Sequence, residues 1–358
     1  MSMCKVIDKR GLAGIIKAGG EVIMKKIRIA LIGYGNVGRA FADMLLRRAD
    51  YIRDTFDTEP VITAICTASR GACISPEGID TKILTDDMFD KKIDAFGVID
   101  SGEYDVMVEL TPINIMSGMP ATDHVRNALQ LGKHVITANK GPIAWHYREL
   151  RDLAKEKGVC FCYEATVMDG VPVYNLAQKT LMGCRITEIS GILNATTNFI
   201  LSEMEKGISF DDAVEEGRRQ GFVEADASMD IDGWDASAKL TALMNVLMDE
   251  EITPLDIRRT GIGEVTPEDI QAAKARDKRI KLLCHGWIEN GKPVGVVEPT
   301  LLDEGSLATT MEGTASYVTI NTDLMGGVTV VEEPFEPEID HTAYGVLSDL
   351  IRVLTDRA

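Results

Sequence analysis

The stretch KIRIALIGYGNVGRAFADMLLR, residues 26–47, decides the fold of the amino-terminal half. A short β-rich run is followed at once by Gly33, Gly35 and Gly38 in the spacing G-x-G-x-x-G, and then by a helical pattern. The first glycine allows a tight turn, the second lets the backbone approach a pyrophosphate, and the third lets helix and strand pack closely. We therefore predict a dinucleotide-binding turn at the positive end of a helix dipole. The other residues of this turn expected to contact the dinucleotide are Asn36, Val37 and Arg39.

Four further apolar runs follow this unit, and helical patterns lie between them. Near-continuous apolar strands that alternate with helices indicate a parallel sheet covered on both faces. We predict an α/β chain with a Rossmann-type, doubly wound nucleotide domain over residues 24–160, preceded by an extension, 1–23, of unknown role. The runs are VITAICTAS (61–69), DVMVELTP (105–112), KHVITANKG (133–141) and GVCFCYEA (158–165), and the helical patterns include 120–131 and 144–157.

The end of the second strand indicates which nicotinamide cofactor binds. An acid at this position would accept a hydrogen bond from the ribose 2′-hydroxyl of NAD. The chain instead has Ser69 and Arg70, a hydroxyl and a guanidinium that suit the 2′-phosphate of NADP, and no acid before Glu77. We expect NADP as the cofactor, NAD as the alternative, and Arg39 as a second partner of the phosphate. For either arginine taken singly, a solvated loop position is an equally good interpretation.

Polar residues close the next two strands at their carboxyl ends, which is the edge where open parallel sheets bind ligands. Lys140 follows the second of these strands and is expected to point into the crevice where the nicotinamide lies. The residues expected to contact the cofactor at this edge are Thr111, Pro112, Thr137, Asn139 and Lys140.

The stretch GFVEADASMDIDGWDASAKL, residues 221–240, concentrates carboxylates and then places a lysine near its end. Asp235 and Lys239 stand at i and i+4 and so share one face of a helix. A carboxylate beside an ammonium orients it and holds its proton, which suits Lys239 for general acid–base chemistry. Glu224 and Asp230 are two further carboxylates of this stretch. The alternative is a solvated ion pair on a helix surface without a chemical role.

Five motifs, in this order, resemble homoserine dehydrogenase, and the resemblance runs from Lys26 to the carboxyl terminus. The closing stretch TAYGVLSDLIRVL (342–354) also resembles the family's last helix. The family reversibly reduces L-aspartate-4-semialdehyde to L-homoserine by hydride transfer from NAD(P)H, so we expect the same reaction here. The motifs are GYGNVG (33–38), ITANKG (136–141), YEATV with GVPV (163–173), GILNATTNFIL (191–201) and EADASMDIDGWDASAKL (224–240).

The resemblance assigns roles to matching residues of this chain. It implies that Lys239 is the catalytic lysine, that Asp235 is the catalytic aspartate, and that Lys140 is the lysine of the family's NK motif. Glu224 and Asp230 match two further acids of the substrate site. Donors for the α-carboxylate of the substrate could come from Lys140, Thr196 and Thr197.

Many members of the family bind sodium or another monovalent cation through the loop after the YEA strand. Met168 and Asp169 stand where the family usually has glycine or alanine. The Asp169 carboxylate could add an oxygen ligand for a hard cation or could face solvent. The residues that match the family's cation loop, several through backbone carbonyls, are Glu164, Val167, Asp169 and Val171.

Beyond the nucleotide domain the sequence pattern changes. We expect an α+β catalytic and dimerisation domain over residues 161–315, and a closing segment, 316–358, that returns to the nucleotide domain. Alternating strands at 185–193 and 295–302 suggest a sheet that pairs across a two-fold axis, so a homodimer is expected. The family's glycine-rich turn before the closing helix is replaced by EEPFEPEIDHTAYG (332–345), which changes that side of the nicotinamide pocket.

Composition argues against several other classes of protein. The 358 residues carry a formal net charge of -18, whereas surfaces that bind nucleic acid or anionic membranes are rich in Lys and Arg. The seven cysteines are odd in number and lie mostly in apolar runs, and neither they nor the five histidines have metal-ligand spacing. Reduced thiols and the lack of a long apolar run point to the cytoplasm.

Two other functions stay open at the level of sequence. A thiol-dependent semialdehyde dehydrogenase would need an activated cysteine beside a histidine base, and no cysteine here follows a turn or helix start in a basic setting. A nucleotide-sensing protein could keep the same fold without any catalysis. The combination of Lys140, Asp235 and Lys239 favours hydride transfer over both.

Overall fold

The computed structural model describes residues 24–224, 226–333 and 339–356, so the predicted extension 1–23 lies outside the described residues. Two six-stranded sheets organise the described chain. The first comprises β1 (Lys25–Ile32), β2 (Thr58–Thr67), β3 (Gly71–Ile74), β4 (Val106–Glu109), β5 (His134–Thr137) and β6 (Phe161–Cys162). Its strand order is β3-β2-β1-β4-β5-β6, and every strand except β3 is parallel to its neighbours. This order confirms the predicted doubly wound fold.

Helices cover both faces of the first sheet because alternate residues of its strands point in opposite directions. Ile29 and Leu31 of β1 belong to the apolar core on the α1 side, whereas Ala30 and Ile32 belong to the core on the side of the other helices. The helices of this part of the chain are α1 (Asn36–Phe56), α2 (Ala95–Ser101), α3 (Ala121–Gln130) and α4 (Gly141–Lys157).

Strand β3 differs from the parallel sheet that the sequence predicts. It pairs antiparallel with β2, from Ala64 opposite Ile74 to Thr67 opposite Gly71. The residues expected to discriminate NADP therefore lie in a hairpin turn and not in a loop that leads to a helix. A four-residue strand is too short to show a period, so the sequence carries no clear signal for it.

The second sheet has the order β12-β11-β7-β9-β10-β8 and is antiparallel except for the pair of β10 with β8. Its strands are β7 (Ile186–Ile192), β8 (Arg258–Arg259), β9 (Lys278–Glu289), β10 (Lys292–Asp303), β11 (Ser316–Thr322) and β12 (Gly326–Glu332). The helices around it are α5 (Val173–Thr180), α6 (Ala195–Glu205), α7 (Phe210–Gln220), α8 (Ser228–Ile231), α9 (Trp234–Leu247), α10 (Pro267–Lys274) and α11 (Leu307–Thr310).

Helix α9 lies close on the second sheet because glycine makes room for it. A Cβ atom on Gly286 of β9 would lie 2.5 Å from Sδ of Met244, which is shorter than any real contact. Asp235 and Lys239 are on this helix, so the close packing fixes both side chains relative to the sheet.

The last helix, α12 (Ile339–Asp356), returns to the nucleotide domain, where Val346 and Leu350 share an apolar core with Phe41 of α1. Within the predicted closing segment 316–358, the strands β11 and β12 belong to the second sheet. Alternating apolar residues in this hairpin, such as Val318 and Ile320, instead join the apolar core that also contains Ala30 and Ile32 of β1. Within the described residues, no helix is both long and apolar enough to cross a membrane.

Candidate active site

The turn between β1 and α1 has the geometry that a bound pyrophosphate requires. Gly33 has a φ of +106°, and a Cβ atom there would lie 2.6 Å from the backbone of Leu110, so only glycine fits. A Cβ atom on Gly38 would lie 2.9 Å from the carbonyl oxygen of Gly33, so the third glycine lets α1 pack on the turn. The space beside Gly35 is open. Phosphate oxygens can therefore approach the backbone N–H groups at the start of α1.

Two arginines lie around a tyrosine at the end of β2. The Arg39 guanidinium is 5.9 Å from the centre of the Tyr34 ring. Burial raises the pKa of Tyr34, while the charges of Arg39 and Arg70 act in the opposite direction. The two guanidinium groups that the sequence singles out thus share one neighbourhood beside the glycine turn.

The guanidinium of Arg70 is held by two contacts. It stacks on the Phe89 ring at 4.3 Å and pairs with the Asp86 carboxylate at 3.2 Å. The Asp86 side chain is 84% exposed, so water screens this ion pair and a competing anion can replace it. Ser69 precedes Arg70 in the hairpin turn and is exposed.

The side chains that close β4 and β5 brace two loops against each other. The Asn139 amide donates to the carbonyl oxygens of Thr111 at 2.9 Å and Pro112 at 3.3 Å, and its oxygen accepts from the N–H of Gly141. The Thr137 hydroxyl donates to the Asn139 carbonyl oxygen at 3.1 Å. Asn139 and Thr137 are buried, so their side chains shape the crevice and leave the loop backbones to face a cofactor.

A buried pair of Glu109 and His124 supports these loops, and sequence reasoning missed it. Glu109 ends β4 and is fully buried, and one carboxylate oxygen lies 2.7 Å from Nδ1 of His124 on α3. The other oxygen accepts from the backbone N–H of Thr111 at 2.8 Å and from its hydroxyl. An acid at the end of the apolar strand VMVE is the signal that could have revealed the pair.

Lys140 connects the nucleotide domain to the second domain. It is the residue before α4, and its Nζ donates to Oδ1 of Asp235 on α9 at 2.9 Å. The two side chains are 18% and 17% exposed, so water screens this ion pair only partly. The structure thus brings together two of the predicted site residues from different domains.

Asp235 and Lys239 lie on one face of α9, as their spacing predicts. Nζ of Lys239 is 3.2 Å from Oδ2 of Asp235 and donates to the carbonyl oxygen of Leu193 at 2.8 Å. Burial opposes the charge of Lys239, but Asp235 and Asp169 outweigh it and raise the lysine pKa above its ordinary value. Burial likewise opposes the charge of Asp235, but Lys140 and Lys239 hold the pKa of that carboxyl well below its usual range. Both groups are therefore charged near neutral pH.

Asn194 forms hydrogen bonds with two carboxylates of the acidic stretch 221–240. Sequence reasoning missed this residue as well. Its amide nitrogen donates to Oδ1 of Asp230 at 2.7 Å and to Oδ2 of Asp235 at 3.0 Å. Its amide oxygen accepts from the backbone N–H of Thr197, so Asn194 caps α6. Burial, and then the charge of Asp235, raise the pKa of Asp230. An asparagine just before the helical run ATTNFILSEME was the available signal.

Three predicted substrate residues are placed less directly on this site. Glu224 is exposed, and its backbone carbonyl oxygen accepts from Nε of Arg218. Thr197 is fully buried, and its hydroxyl donates to the carbonyl oxygen of Asn194, so it completes the helix cap. Thr196 is buried in the first turn of α6, beside the capping residue.

Two family models match the sequence of this chain. Residues 33–164 match the model described as homoserine dehydrogenase, NAD binding domain, and residues 172–351 match the model described as homoserine dehydrogenase. The chain belongs to the homoserine dehydrogenase family.

Relatives that align along most of their length carry the same name. A homoserine dehydrogenase of Methanocaldococcus jannaschii is 37% identical over 91% of this chain and 98% of its own. An NAD(+)-dependent homoserine dehydrogenase of Pseudomonas canavaninivorans is 34% identical over 92% and 97%. The crystal structure of a homoserine dehydrogenase from Thiobacillus denitrificans matches with a TM-score of 0.78 and 32% identity, over 92% of this chain and 74% of that one. These findings confirm the resemblance and the oxidoreductase activity that it implies.

In the loop expected to bind a cation, the carboxylates of Glu164 and Asp169 accept hydrogen bonds from other groups of the protein. The Glu164 oxygens accept from the backbone N–H groups of Tyr174 at 2.7 Å and Asn175 at 2.9 Å, which caps α5. Asp169 accepts from the Thr342 hydroxyl of α12 at 2.9 Å. Among the described residues, no three His, Cys, Asp or Glu side chains are grouped so that they could hold a metal ion. A cation here would depend on the backbone carbonyls of Glu164, Val167, Asp169 and Val171.

Glu332 adds an acidic group near Lys239. It lies in the segment 332–345, where the sequence departs from the family's glycine-rich turn. Its carboxylate accepts from the Ser316 hydroxyl at 2.8 Å and lies 3.3 Å from Nδ1 of His341. Burial, and then the charge of Asp169, raise the pKa of Glu332, while Lys239 lowers it. The rest of the departure, residues 334–338, lies outside the described residues.

Cys160 and His134 lie close together although they are 26 residues apart in the sequence, because Cys160 immediately precedes β6 and His134 begins the neighbouring strand β5. The backbone N–H of Cys160 donates to Nδ1 of His134, the first residue of β5. Contacts with Cys162 and His134 lower the pKa of the Cys160 thiol. Lys140, by contrast, follows the carboxyl end of β5. The Cys160 thiol thus lies at the opposite end of β5 from Lys140, which disfavours a thiol-dependent mechanism.

Proposed function

We propose that this homoserine dehydrogenase uses Lys239 to donate and accept the proton that accompanies hydride transfer between NADP(H) and its substrate pair. The observation that carries this assignment is the environment of the Lys239 ammonium. Among the described residues, its hydrogen-bond partners are Asp235 and the Leu193 carbonyl oxygen. An ammonium has three N–H bonds, so with respect to this part of the chain one remains for an oxygen of the substrate.

A bound nicotinamide cofactor supplies the hydride to the aldehyde carbon of L-aspartate-4-semialdehyde. As charge develops on the carbonyl oxygen, the Lys239 ammonium donates its proton there, and the aldehyde becomes the hydroxyl of L-homoserine. In the reverse direction, neutral Lys239 accepts the hydroxyl proton. Neighbouring acids raise the pKa of Lys239, so the ammonium is ready for reduction near neutral pH.

Asp235 and Lys140 position this proton donor. Asp235 directs one oxygen to Lys140 and the other to Lys239, which restricts the rotamers of both lysines. Lys140 also adds a second positive charge at the edge of the nucleotide domain. That charge would stabilise the developing oxyanion or the α-carboxylate of the substrate.

The amino-acid end of the substrate would meet Asp230. Asn194 occupies one oxygen of Asp230, which leaves the other for the α-ammonium of the substrate. Glu224, whose side chain is exposed, would be a further partner of the α-ammonium. Thr196 and the amino terminus of α6 would receive the α-carboxylate.

The arginine pair supports NADP as the preferred cofactor. Arg39 and Arg70 lie around Tyr34 at the end of β2, where a 2′-phosphate would be placed. The exposed carboxylate of Asp86 would be displaced by a phosphate, which can accept two parallel hydrogen bonds from a guanidinium. The P. canavaninivorans relative is named as NAD(+)-dependent, so NAD is the competing outcome.

The reaction is tested by incubating the purified chain with L-homoserine and NADP⁺ and following the absorbance of the reduced nicotinamide. We expect steady reduction with L-homoserine and none with L-serine or L-threonine. A parallel series with NAD⁺ measures the cofactor preference as a ratio of kcat/KM values. Protein that reduces neither cofactor in the presence of L-homoserine would overturn the proposal.

We also propose a homodimer that forms through the outer face of the second sheet. Gly286 faces Met244 of α9, so its neighbours His285 and Trp287 point to the opposite face. Their rings stack with centroids 4.5 Å apart, and neither side chain is buried within one chain. Aromatic residues that are left half-exposed on a sheet face are typical of protein interfaces.

Two further expectations remain proposals. A monovalent cation such as sodium could bind the carbonyls of the loop 164–171, and dialysis into potassium-free and sodium-free buffer would then lower activity. The cysteines of the described chain are unpaired, which supports a reducing compartment such as the cytoplasm.

A further inference from the structure

The side chain of Asn194 is hydrogen-bonded to both Asp230 and Asp235, and the residue is 4% exposed. We propose that Asn194 is a positioning residue that keeps Asp230 and Asp235 separately ionised and directs the second oxygen of Asp230 toward the substrate. This inference rests on the proposed function of the site, and it concerns a residue that would touch neither substrate nor cofactor.

The orientation of the Asn194 amide follows from its partners. Its oxygen accepts from the Thr197 backbone N–H at 2.8 Å. A flipped amide would set an NH₂ group against that N–H and an oxygen against two carboxylates. Both changes replace attraction by repulsion, so the NH₂ group must face Asp230 and Asp235.

The two acids are close enough for each negative charge to disfavour the other. Both accept from the same nitrogen, at 2.7 and 3.0 Å, so their bonded oxygens lie within about 6 Å of each other. A carboxylate at such a distance raises the pKa of its neighbour, because the second negative charge is unfavourable beside the first. Asn194 opposes this effect, since its NH₂ group donates a hydrogen bond to each ionised acid.

The loss of this donor would affect Asp230 more than Asp235. Asp235 also pairs with Lys140 and Lys239, whereas the Asn194 amide is the hydrogen-bond donor recorded for the Asp230 carboxylate within the described chain. Burial and the charge of Asp235 already favour protonated Asp230. Without Asn194, protonation of Asp230 would therefore extend to higher pH.

Charged groups on other elements act in both directions on the ionisation of Asp230, so the Asn194 hydrogen bond can decide it. Lys140 before α4 and Lys239 on α9 favour the ionised acids. Asp169, in the loop before α5, and Glu332, at the end of β12, add negative charge near Lys239. They therefore reduce the effect of the Lys239 charge on the two acids. A neutral Asp230 would pair poorly with the α-ammonium of L-homoserine, so the expected defect lies in substrate binding.

The test compares Asn194→Ser with wild type. Serine keeps an oxygen that caps α6 but is too short to donate to both acids. We expect kcat/KM for L-homoserine to fall roughly 10- to 100-fold at neutral pH, mainly through KM, because one charged hydrogen bond is lost. The acid limb of the pH profile should move up by about one pH unit, and the Kd for NADPH should not change.

Two companion variants separate positioning from structure. Asn194→Asp has the same shape and still caps the helix, yet it presents only acceptors to the acids, so its acid limb should move further than that of the serine variant. Asn198→Ala is the matched control on the same helix, since the Asn198 amide is 1% exposed and donates to the carbonyls of Met311 and Ala315. It should lower Tm and leave the pH profile unchanged.

A direct measurement does not depend on turnover. Carboxyl ¹³C NMR of aspartate-labelled protein reports the ionisation of both acids in the absence of substrate, and the Asp230 titration should move to higher pH in Asn194→Ser. Superimposable titrations and pH profiles for wild type and this variant would overturn the inference. Wild-type protein inert toward L-homoserine would overturn the proposed function instead, because the NMR titration would still report on Asn194.

Discussion

Lys239 shows how one side chain acquires its chemistry from neighbours on several elements. Asp235 stands one turn away on the same helix, and the carbonyl oxygen of Leu193 comes from the end of β7. Asp169 adds its charge from the loop before α5. These partners hold an ammonium in a half-buried position where desolvation alone would favour the neutral amine.

Replacement of Lys239 by alanine should lower kcat by roughly 100- to 10,000-fold, because the proton donor is lost. The Kd for NADPH, measured by fluorescence titration, should change little, since the proposed role of Lys239 concerns the substrate and not the phosphates of the cofactor. Lys179→Ala is the control, because that lysine is 52% exposed on α5. Near-normal turnover in Lys239→Ala would show that another group donates the proton.

Arg70→Asp should weaken NADPH binding by roughly 10-fold or more and leave NADH binding nearly unchanged, because only NADPH carries the 2′-phosphate. Kd values for the two cofactors, measured on the same preparation, give the comparison. Arg48→Asp is a matched control, since Arg48 is an exposed arginine on α1. Equal losses for NADPH and NADH would contradict the assigned phosphate contact.

Helix ends organise the site at the scale of elements. Lys140 immediately precedes α4, and Asn194 caps α6. Glu164 satisfies the first backbone N–H groups of α5, and its own N–H donates to the buried Asp349 of α12. Free N–H groups at helix starts need acceptors, so the polar residues that provide them are fixed in place.

Glu164 makes the stability of the α5 cap depend on pH. Burial is the main cause that raises its pKa from 4.5 to about 7, and the backbone N–H groups and Arg352 oppose it only in part. A carboxyl whose pKa is raised by folding stabilises the fold fully below pH 4.5, and this contribution is lost as the pH rises through 7. Asp349 is buried beside it, and its pKa is raised as well.

Glu164→Gln should remove this pH dependence because an amide does not titrate. From about pH 4.5 to 8, the free energy of unfolding of wild type minus that of the variant should fall by on the order of 3 kcal/mol. Denaturant unfolding at several pH values gives this difference. Glu149→Gln is the control, since Arg126 lowers the pKa of Glu149 and no such loss should occur. Parallel curves for wild type and Glu164→Gln would contradict the prediction.

The whole molecule is arranged so that neither domain holds the site alone. The glycine turn and Lys140 belong to the first sheet, whereas Asp235 and Lys239 belong to a helix on the second. The chain crosses between the domains twice, because α12 returns to pack on α1. A site shared in this way depends on the contact between domains, of which the Lys140–Asp235 ion pair is a part.

Trp287→Lys should convert a homodimer into monomers, because it places a charge in the centre of the proposed apolar contact. Size-exclusion chromatography with light scattering measures the mass of both proteins. Tyr51→Lys is the control, since Tyr51 is an aromatic residue that is 50% exposed on α1, away from the second sheet. A wild-type protein that elutes as a monomer would rule out the dimer, and a dimeric Trp287→Lys would place its interface elsewhere.

Several parts of the fold and site could be read from short stretches of sequence. The glycine turn, the alternating strands and helices, and the spacing of Asp235 and Lys239 all appear in the structure as expected. The antiparallel β3 was not foreseen, because a strand of four residues carries little periodicity. Asn139 lies where the sequence placed it, but its side chain braces two loops.

Sequence by itself determined whatever depends on a few consecutive residues: the backbone angles open to Gly33, the repeat of a helix, and the alternation of a strand. Only the tertiary structure decided which distant groups meet. Asn194 reaches Asp230 and Asp235, and Glu109 reaches His124, because separate elements pack in one particular arrangement. Hydrogen bonds and charges act over a few ångströms in space, and local spacing along the chain contains no measure of that distance.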